Sequence, residues 1–252
     1  MSPLIRKAWW ESRIRFLLCA AVLAGGAAEF LVRSRTGFPP VEVPALKYSA
    51  FVWGNLIGNH QPIVFAMISL VLGLGGLQRE RAAGTAAYTL MLPVTRGALI
   101  SARALVGIAQ VVVLATAPLV AVALLAPVLA NHSYPIGQAA HFALLYMAWG
   151  VVFFAVGLLW STLLSGTLSA LAACVVTPFI YLILIASHVD ERGRWVDANF
   201  ATFMSGMAYL DRVHSGTSLL GPVFPWIPCA MLLAVAAVVF MLAVWRTKRQ
   251  DF

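Results

Sequence analysis

The chain has 252 residues, of which 62% are apolar and only 10% are charged, whereas a soluble domain carries roughly 25% charged residues. That composition excludes an ordinary soluble globular domain. It also excludes a disordered chain, whose mark is low hydrophobicity with high charge. Lys and Arg number 17 against 9 Asp and Glu, a formal charge of +8. The positives flank apolar runs and do not cluster among aromatics, so they read as orientation signals and argue against nucleic acid as a partner.

The class this leaves is an all-α integral membrane protein. Before residue 16, Leu4, Ile5, Ala8 and Trp9 share one helical face and Arg6, Lys7 and Arg13 lie elsewhere, which predicts an amino-terminal interfacial helix. Crossing the hydrocarbon takes about 20 mostly apolar residues. Six segments qualify, 16–32, 52–77, 104–129, 139–160, 168–187 and 227–245, and they predict six transmembrane helices in a single domain over residues 1–252. The basic arm, the apolar stretch from Phe16 and the small residues Ala24 to Ala28 also resemble a secretory signal with its cleavage site. The apolar run continues through Phe30, Leu31 and Val32, which suits an uncleaved span better.

Glu29 is the one formally charged residue inside a predicted span, three residues from its outer end. A charge so placed reaches the interface cheaply, so a surface position is favoured over a pathway role. The second span begins oddly, with Gly54, Asn55, Gly58, Asn59, His60, Gln61 and Pro62 where hydrocarbon is expected. Polar groups at membrane depth survive only where protein or water satisfies them, so this stretch either sits at the outer surface, the favoured alternative, or lines a cavity. Asn55, Asn59, His60 and Glu29 are accordingly the candidate pathway or outer-gate residues. Pro118, Pro127 and Pro178 fall inside spans three and five and can act as kinks. In the loop after span five, Phe200, Phe203, Met204, Met207 and Leu210 recur at helical spacing. They predict a helix that lies on or dips into the outer leaflet, or packs over the tops of the spans.

Catalytic signatures are missing. The lysines, Lys7, Lys47 and Lys248, follow Arg6, Leu46 and Thr247, so the Gly-Lys-Ser/Thr of a phosphate-binding loop is absent. No serine- or zinc-protease motif occurs, and the five histidines, like Cys19, Cys174 and Cys229, show no metal-ligand or disulfide spacing. No catalytic residue, metal or cofactor is assigned to this chain, and an enzyme is not expected. No internal repeat and no set of midplane ionisable groups points to an ion-coupled secondary transporter.

Orientation follows from Lys and Arg alone. Arg6, Lys7, Arg13, Arg15, Arg79, Arg81, Arg96, Arg103, Arg246, Lys248 and Arg249 fall on one side, and Arg33, Arg35, Lys47, Arg192, Arg194 and Arg212 on the other. The larger group puts both termini in the cytoplasm.

The stretch from Gln78 to Leu105 between spans two and three reads QRERAAGTAAYTLMLPVTRGALISARAL. Glu80, Gly84-Thr85, Leu90, Leu92, Pro93-Val94-Thr95-Arg96 and Arg103 are spaced like the Glu-x3-Gly-Thr...Leu-Leu...Pro-Val-Ser/Thr-Arg motif of ABC-2 type transporter permeases, and this chain resembles that family over its whole length. Gly84 allows a tight turn, Thr85 can cap a short helix and Pro93 ends it. The resemblance implies that this segment is a cytoplasmic coupling helix docking on a separate ATPase subunit, with Glu80, Gly84, Thr85, Leu90, Leu92, Pro93 and Arg96 at the contact. It further implies two permease copies with two ATPase copies, ATP and Mg in the ATPase and none in this chain, a pathway between the permeases, and a bacterial plasma (inner) membrane. The cargo stays open among lipids, hydrophobic drugs, peptides, polysaccharides and a maturation factor for metalloenzymes. The rival is a non-transporting membrane scaffold or signalling subunit that docks an ATPase. Arg103 stands where the family often has lysine, a swap that a surface charge tolerates and a snug bidentate site does not. Ala20, Ala21, Ala24, Gly25, Ala27 and Ala28 in the first span allow close approach of a second copy.

Overall fold

A computed structural model describes residues 2–37, 45–58, 61–74, 95–129, 133–164, 167–186, 200–206, 209 and 224–249. Among these every regular element is helical. Helix α1 runs Ser2–Gly37 and α2 runs Ala45–Val52, continued by a π-helical turn, Trp53–Ile57. Then follow α3, Gln61–Gly73, α4, Arg96–Leu129, α5, Ile136–Leu163, α6, Thr167–Ala186, the short α7, Phe200–Met204, and α8, Trp226–Lys248.

Four of these helices are long and apolar enough to cross a membrane, within Pro3–Ser34, Gly97–Leu129, Ile136–Leu163 and Trp226–Lys248. A fifth span results if Tyr48–Ile57 and Gln61–Gly73, bent by 45°, are counted together, and α6 contributes a shorter apolar stretch, Leu168–Tyr181. The arm and the first apolar segment, expected as two elements, form one helix of 36 residues. Nothing in the sequence interrupts it. Pro3 sits in the first turn, where a missing N–H is harmless, and Lys7 and Glu11 pair at 3.6 Å across one turn within the arm. Helix α4 starts eight residues before the span expected at 104, because Thr95 caps it: the N–H of Ala98 donates to Thr95 Oγ1 at 3.2 Å. Pro118 and Pro127 lie within α4 and Pro178 within α6 without ending either helix.

Buried α5 is the axis around which the others pack. Phe65 of α3 meets Tyr146 edge-on at 5.3 Å, and lower down Gly157 lies against the carbonyl of Leu70 and Gly73 against that of Phe154, so α3 runs parallel to α5. Helix α4 runs the other way, with Val111 beside Gly150 and Gly107 under the Phe154 ring. Helix α8 is parallel again, from Phe224 beside His141 (5.4 Å) to Ala243 packed with Leu158. Helix α6 is antiparallel, with Tyr181 on Trp149 (5.6 Å) and Thr177 on Trp160 (3.1 Å). The amino-terminal half of α1 meets α4 and the last turn of α3 through Glu11, Ser12 and Arg15. Its other half meets the start of the second segment through Phe30 and Phe51, 5.6 Å apart.

Successive apolar segments thus alternate in direction. The first turns of α1, the end of α3, the start of α4 and the end of α8 share one end of the bundle, where Gly97 lies beside the Lys248 side chain. Residues turned away from the bundle are apolar, among them Leu124, Val128, Met231, Val238 and Leu242, as suits lipid-facing positions. The three cysteines are buried and unpaired.

Candidate functional site

The polar beginning of the second span is explained by its backbone. In a π-helix the carbonyl of Ile57 would need the N–H of residue 62, which is proline and has none. The helical ladder stops, and the Tyr146 hydroxyl donates to the Ile57 carbonyl instead, at 2.9 Å. Tyr146 is ten residues into α5, about 15 Å from its start at 1.5 Å per residue. The break therefore packs against α5 within the bundle, and Asn55 and Gln61 on either side of it line a cleft.

A second irregular segment reaches the same depth. Phe200, Phe203 and Met204 of α7 are fully buried, and Phe200 packs on Phe153 (5.0 Å), Tyr181 (5.8 Å) and Trp149 (6.1 Å), close to the middle of α5. Trp53 Nε1 of the π-helical turn donates to the Ser205 carbonyl at 2.7 Å, just before Gly206 turns the chain with φ 66°. The loop helix dips into the bundle, and its exposed carbonyl is satisfied by the broken second span. Met207 and Leu210 lie outside the described residues.

Between α1 and the broken span is a cleft of about 510 Å3. Glu29 and Asn55, two of the four candidate gate residues, line it together with Arg33 and Gln61. Asn59 and His60 fall outside the described residues. Glu29 pairs with Arg33 at 2.8 Å and both side chains are largely exposed. Asn55 Nδ2 donates to the Phe51 carbonyl at 3.0 Å. Among the described residues Gln61 Oε1 is buried without a hydrogen-bond partner. The rest of the wall is apolar, with Phe30, Phe51, Leu56 and Val64 among it.

At the opposite end the helices are tied by a polar junction. Arg103 Nη2 donates to Glu11 Oε2 at 2.9 Å, Gln110 Nε2 to Ser12 Oγ at 2.8 Å, and Arg15 Nη1 to the Val71 carbonyl at 3.5 Å. These groups surround a cavity of about 30 Å3, large enough for a water. Gln110 Oε1, buried and without a protein partner, is placed to use one. Arg103 is therefore not a free surface charge but one member of an inter-helix pair. Sequence reasoning missed Glu11 and Ser12 as its neighbours; the signals were the lone acid in a basic arm and the lone amide, Gln110, in span three.

Of the docking residues, Glu80, Gly84, Thr85, Leu90, Leu92 and Pro93 lie outside the described residues. Arg96 opens α4. The residues that bracket this stretch, Leu74 and Thr95, stand at the end of the bundle shared by both chain ends.

The chain matches no protein-family model and no curated protein sequence. Among the described residues the regular structure is all helical, and the long apolar helices are compatible with a membrane protein.

Proposed function

We propose that this chain is the membrane-spanning permease subunit of an ATP-driven ABC exporter. It acts as a dimer with two copies of a separate ATPase in a bacterial plasma membrane, both termini in the cytoplasm, and six passes are made by α1, the bent α2–α3 unit, α4, α5, α6 and α8. The reading is supported by the Glu80 to Pro93 motif in the sequence, together with the place of the residues that flank it: Leu74 after α3 and Thr95 before α4 stand at the end of the bundle where Gly97 lies beside Lys248. A docking element there receives the ATPase's motion next to the helices it must move.

In this reading ATP and Mg are held by the ATPase. ATP can drive the cycle only if it binds one conformation better than the other, and that difference must reach the helices through residues 75–94. The Arg103–Glu11 pair and the Arg15 contact with α3 would carry it from the ends of that segment to α1. At the far end the cleft with Glu29 and Asn55 belongs to the pathway.

The test is affinity purification of the tagged chain from native membranes in a mild detergent. A stoichiometric ATPase in the eluate, and transport that requires it, is the expected result. A chain that purifies without any ATPase overturns the reading.

A further inference from the structure

The cleft between α1 and the broken second span has the size of a small-molecule site, since such pockets span about 300–1,000 Å3, and its about 510 Å3 is amphipathic in an ordered way. Its walls from Leu23, Phe30, Leu56 and Val64 are hydrocarbon and aromatic. Among the described residues its acceptors are the Glu29 carboxylate, Asn55 Oδ1 and Gln61 Oε1, the last buried and without a partner, and its donors are the Asn55 and Gln61 amide N–H groups and the Arg33 guanidinium, 2.8 Å from Glu29. Val22 lines the cleft and is 58% exposed on the outer face of α1, so the opening is toward the surrounding lipid and not toward the α5 core.

We infer that this cleft binds a phospholipid with a primary-amine head group, taken from the leaflet opposite the chain termini. An ammonium with three N–H donors can satisfy Gln61 Oε1, a buried acceptor that is costly to leave without a donor, and give Glu29 and Asn55 Oδ1 a further bond. The phosphate finds its counter-charge in Arg33, which forms charge-assisted bonds to phosphate oxygens. A choline head group has no N–H to give, and a glycerol head group has no cation for Glu29. An acyl chain lies along the apolar wall. Glu29 and Arg33 keep capacity for this while paired, because a carboxylate accepts several hydrogen bonds and a guanidinium donates five. The inference rests on the chain being embedded in a bilayer and needs no ATPase, so it and the permease reading can fail separately.

The experiment uses the purified full chain in nanodiscs of equal parts phosphatidylethanolamine, phosphatidylcholine and phosphatidylglycerol. The photoreactive residue p-benzoylphenylalanine replaces Val22 in one sample and Val238, on the outer face of α8, in a control, and adducts are weighed by mass spectrometry. The expected result is a lipid adduct at the first position enriched several-fold in phosphatidylethanolamine, and adducts in bilayer proportion at the control. Combining the label with Glu29→Gln and Gln61→Leu should bring the enrichment down to bilayer proportion while the chain still inserts. Adducts in bilayer proportion at both positions of the otherwise unaltered chain, an adduct with a second copy of the chain, or no adduct at the first position would each overturn the inference.

Discussion

Arg103 and Glu11, 92 positions apart in sequence, close a 2.9 Å ion pair at the end of the bundle where the chain begins and ends, with only 12% of the arginine side chain exposed. Glu11 is also held by Lys7 at 3.6 Å. The two helices it joins, α1 and α4, run in the same direction, and this pair sets their register together with the Gln110–Ser12 hydrogen bond.

Arg103→Met keeps the length of the side chain and removes the pair. A hydrogen bond to a charged group is worth about 1.5–3 kcal/mol, and the largely buried position of Arg103 keeps the loss toward the upper part of that range. The variant should melt earlier in detergent. Glu11→Gln retains an acceptor and should lose less, and the reversed pair, Glu11→Arg with Arg103→Glu, should recover part of the loss. An Arg103→Met protein as stable as its parent would show that the pair does not hold α1 to α4.

Glycines in this chain separate into two kinds by what surrounds them. A side chain at Gly157 would run into the Leu70 backbone, whereas one at Gly25 meets nothing within 4 Å. Gly157→Val should therefore push α3 from α5, an overpacking cost of about 1–3 kcal/mol or more, and lower the folded yield sharply. Gly25→Leu should leave the single chain as stable as before. In the proposed dimer the exposed small residues Ala21, Ala24, Gly25 and Ala28 form the approach surface, so Gly25→Leu should reduce the cross-linked two-copy species. A Gly25→Leu chain that cross-links to the parental extent removes α1 from the dimer contact.

Hydropathy located every long apolar helix to within a few residues at most ends, because a run of some 20 apolar residues has few alternatives. The exceptions lie where local chemistry overrides composition. The amino-terminal arm joined α1 because no breaker separates it, and α4 reached back to Arg96 because Thr95 could cap it. The buried break after Ile57 was visible as a cluster of Gly, Asn, His and Pro. Its depth was not, because that depends on Tyr146 arriving from a helix far away in sequence to satisfy a carbonyl. Glu29 and Asn55 were legible as polar residues in apolar surroundings. Their sharing one cleft, and the pairing of Arg103 with Glu11, depend on helix packing, on which single-chain periodicity is silent.

The alternation of helix directions and the distribution of Lys and Arg together predict sidedness. Single cysteines replacing Arg96 and Arg249 should react with a membrane-impermeant thiol reagent only after the cells are opened. Cysteines replacing Arg35 and Arg194 should react in intact cells, in a background with Cys19, Cys174 and Cys229 changed to serine or alanine. Labelling of position 96 from outside would reverse the orientation and remove the docking segment from the cytoplasm.

Glu80 and Arg96 provide the sharpest test of the permease reading, because docking and folding make opposite demands on them. If the segment between α3 and α4 grips an ATPase, its charges face a partner, and the bundle keeps its own ties through Arg103–Glu11, Gln110–Ser12 and the Gly157–Leu70 contact. Changing Glu80 and Arg96 should then leave insertion and thermal stability unchanged while weakening the partner. Truncating one side of a buried interfacial charge pair costs about 2–5 kcal/mol, and rim charges matter little, so Glu80→Ala combined with Arg96→Ala should abolish ATPase co-purification where either alone gives a partial loss. Gly84→Val acts differently, by distorting the turn if Gly84 adopts a positive φ, and should lower co-purification without touching a charge. Co-purified ATPase per unit of inserted chain is the quantity to measure. A double variant that inserts normally, retains the ATPase and transports at the parental rate would show that these two residues do not couple the subunits.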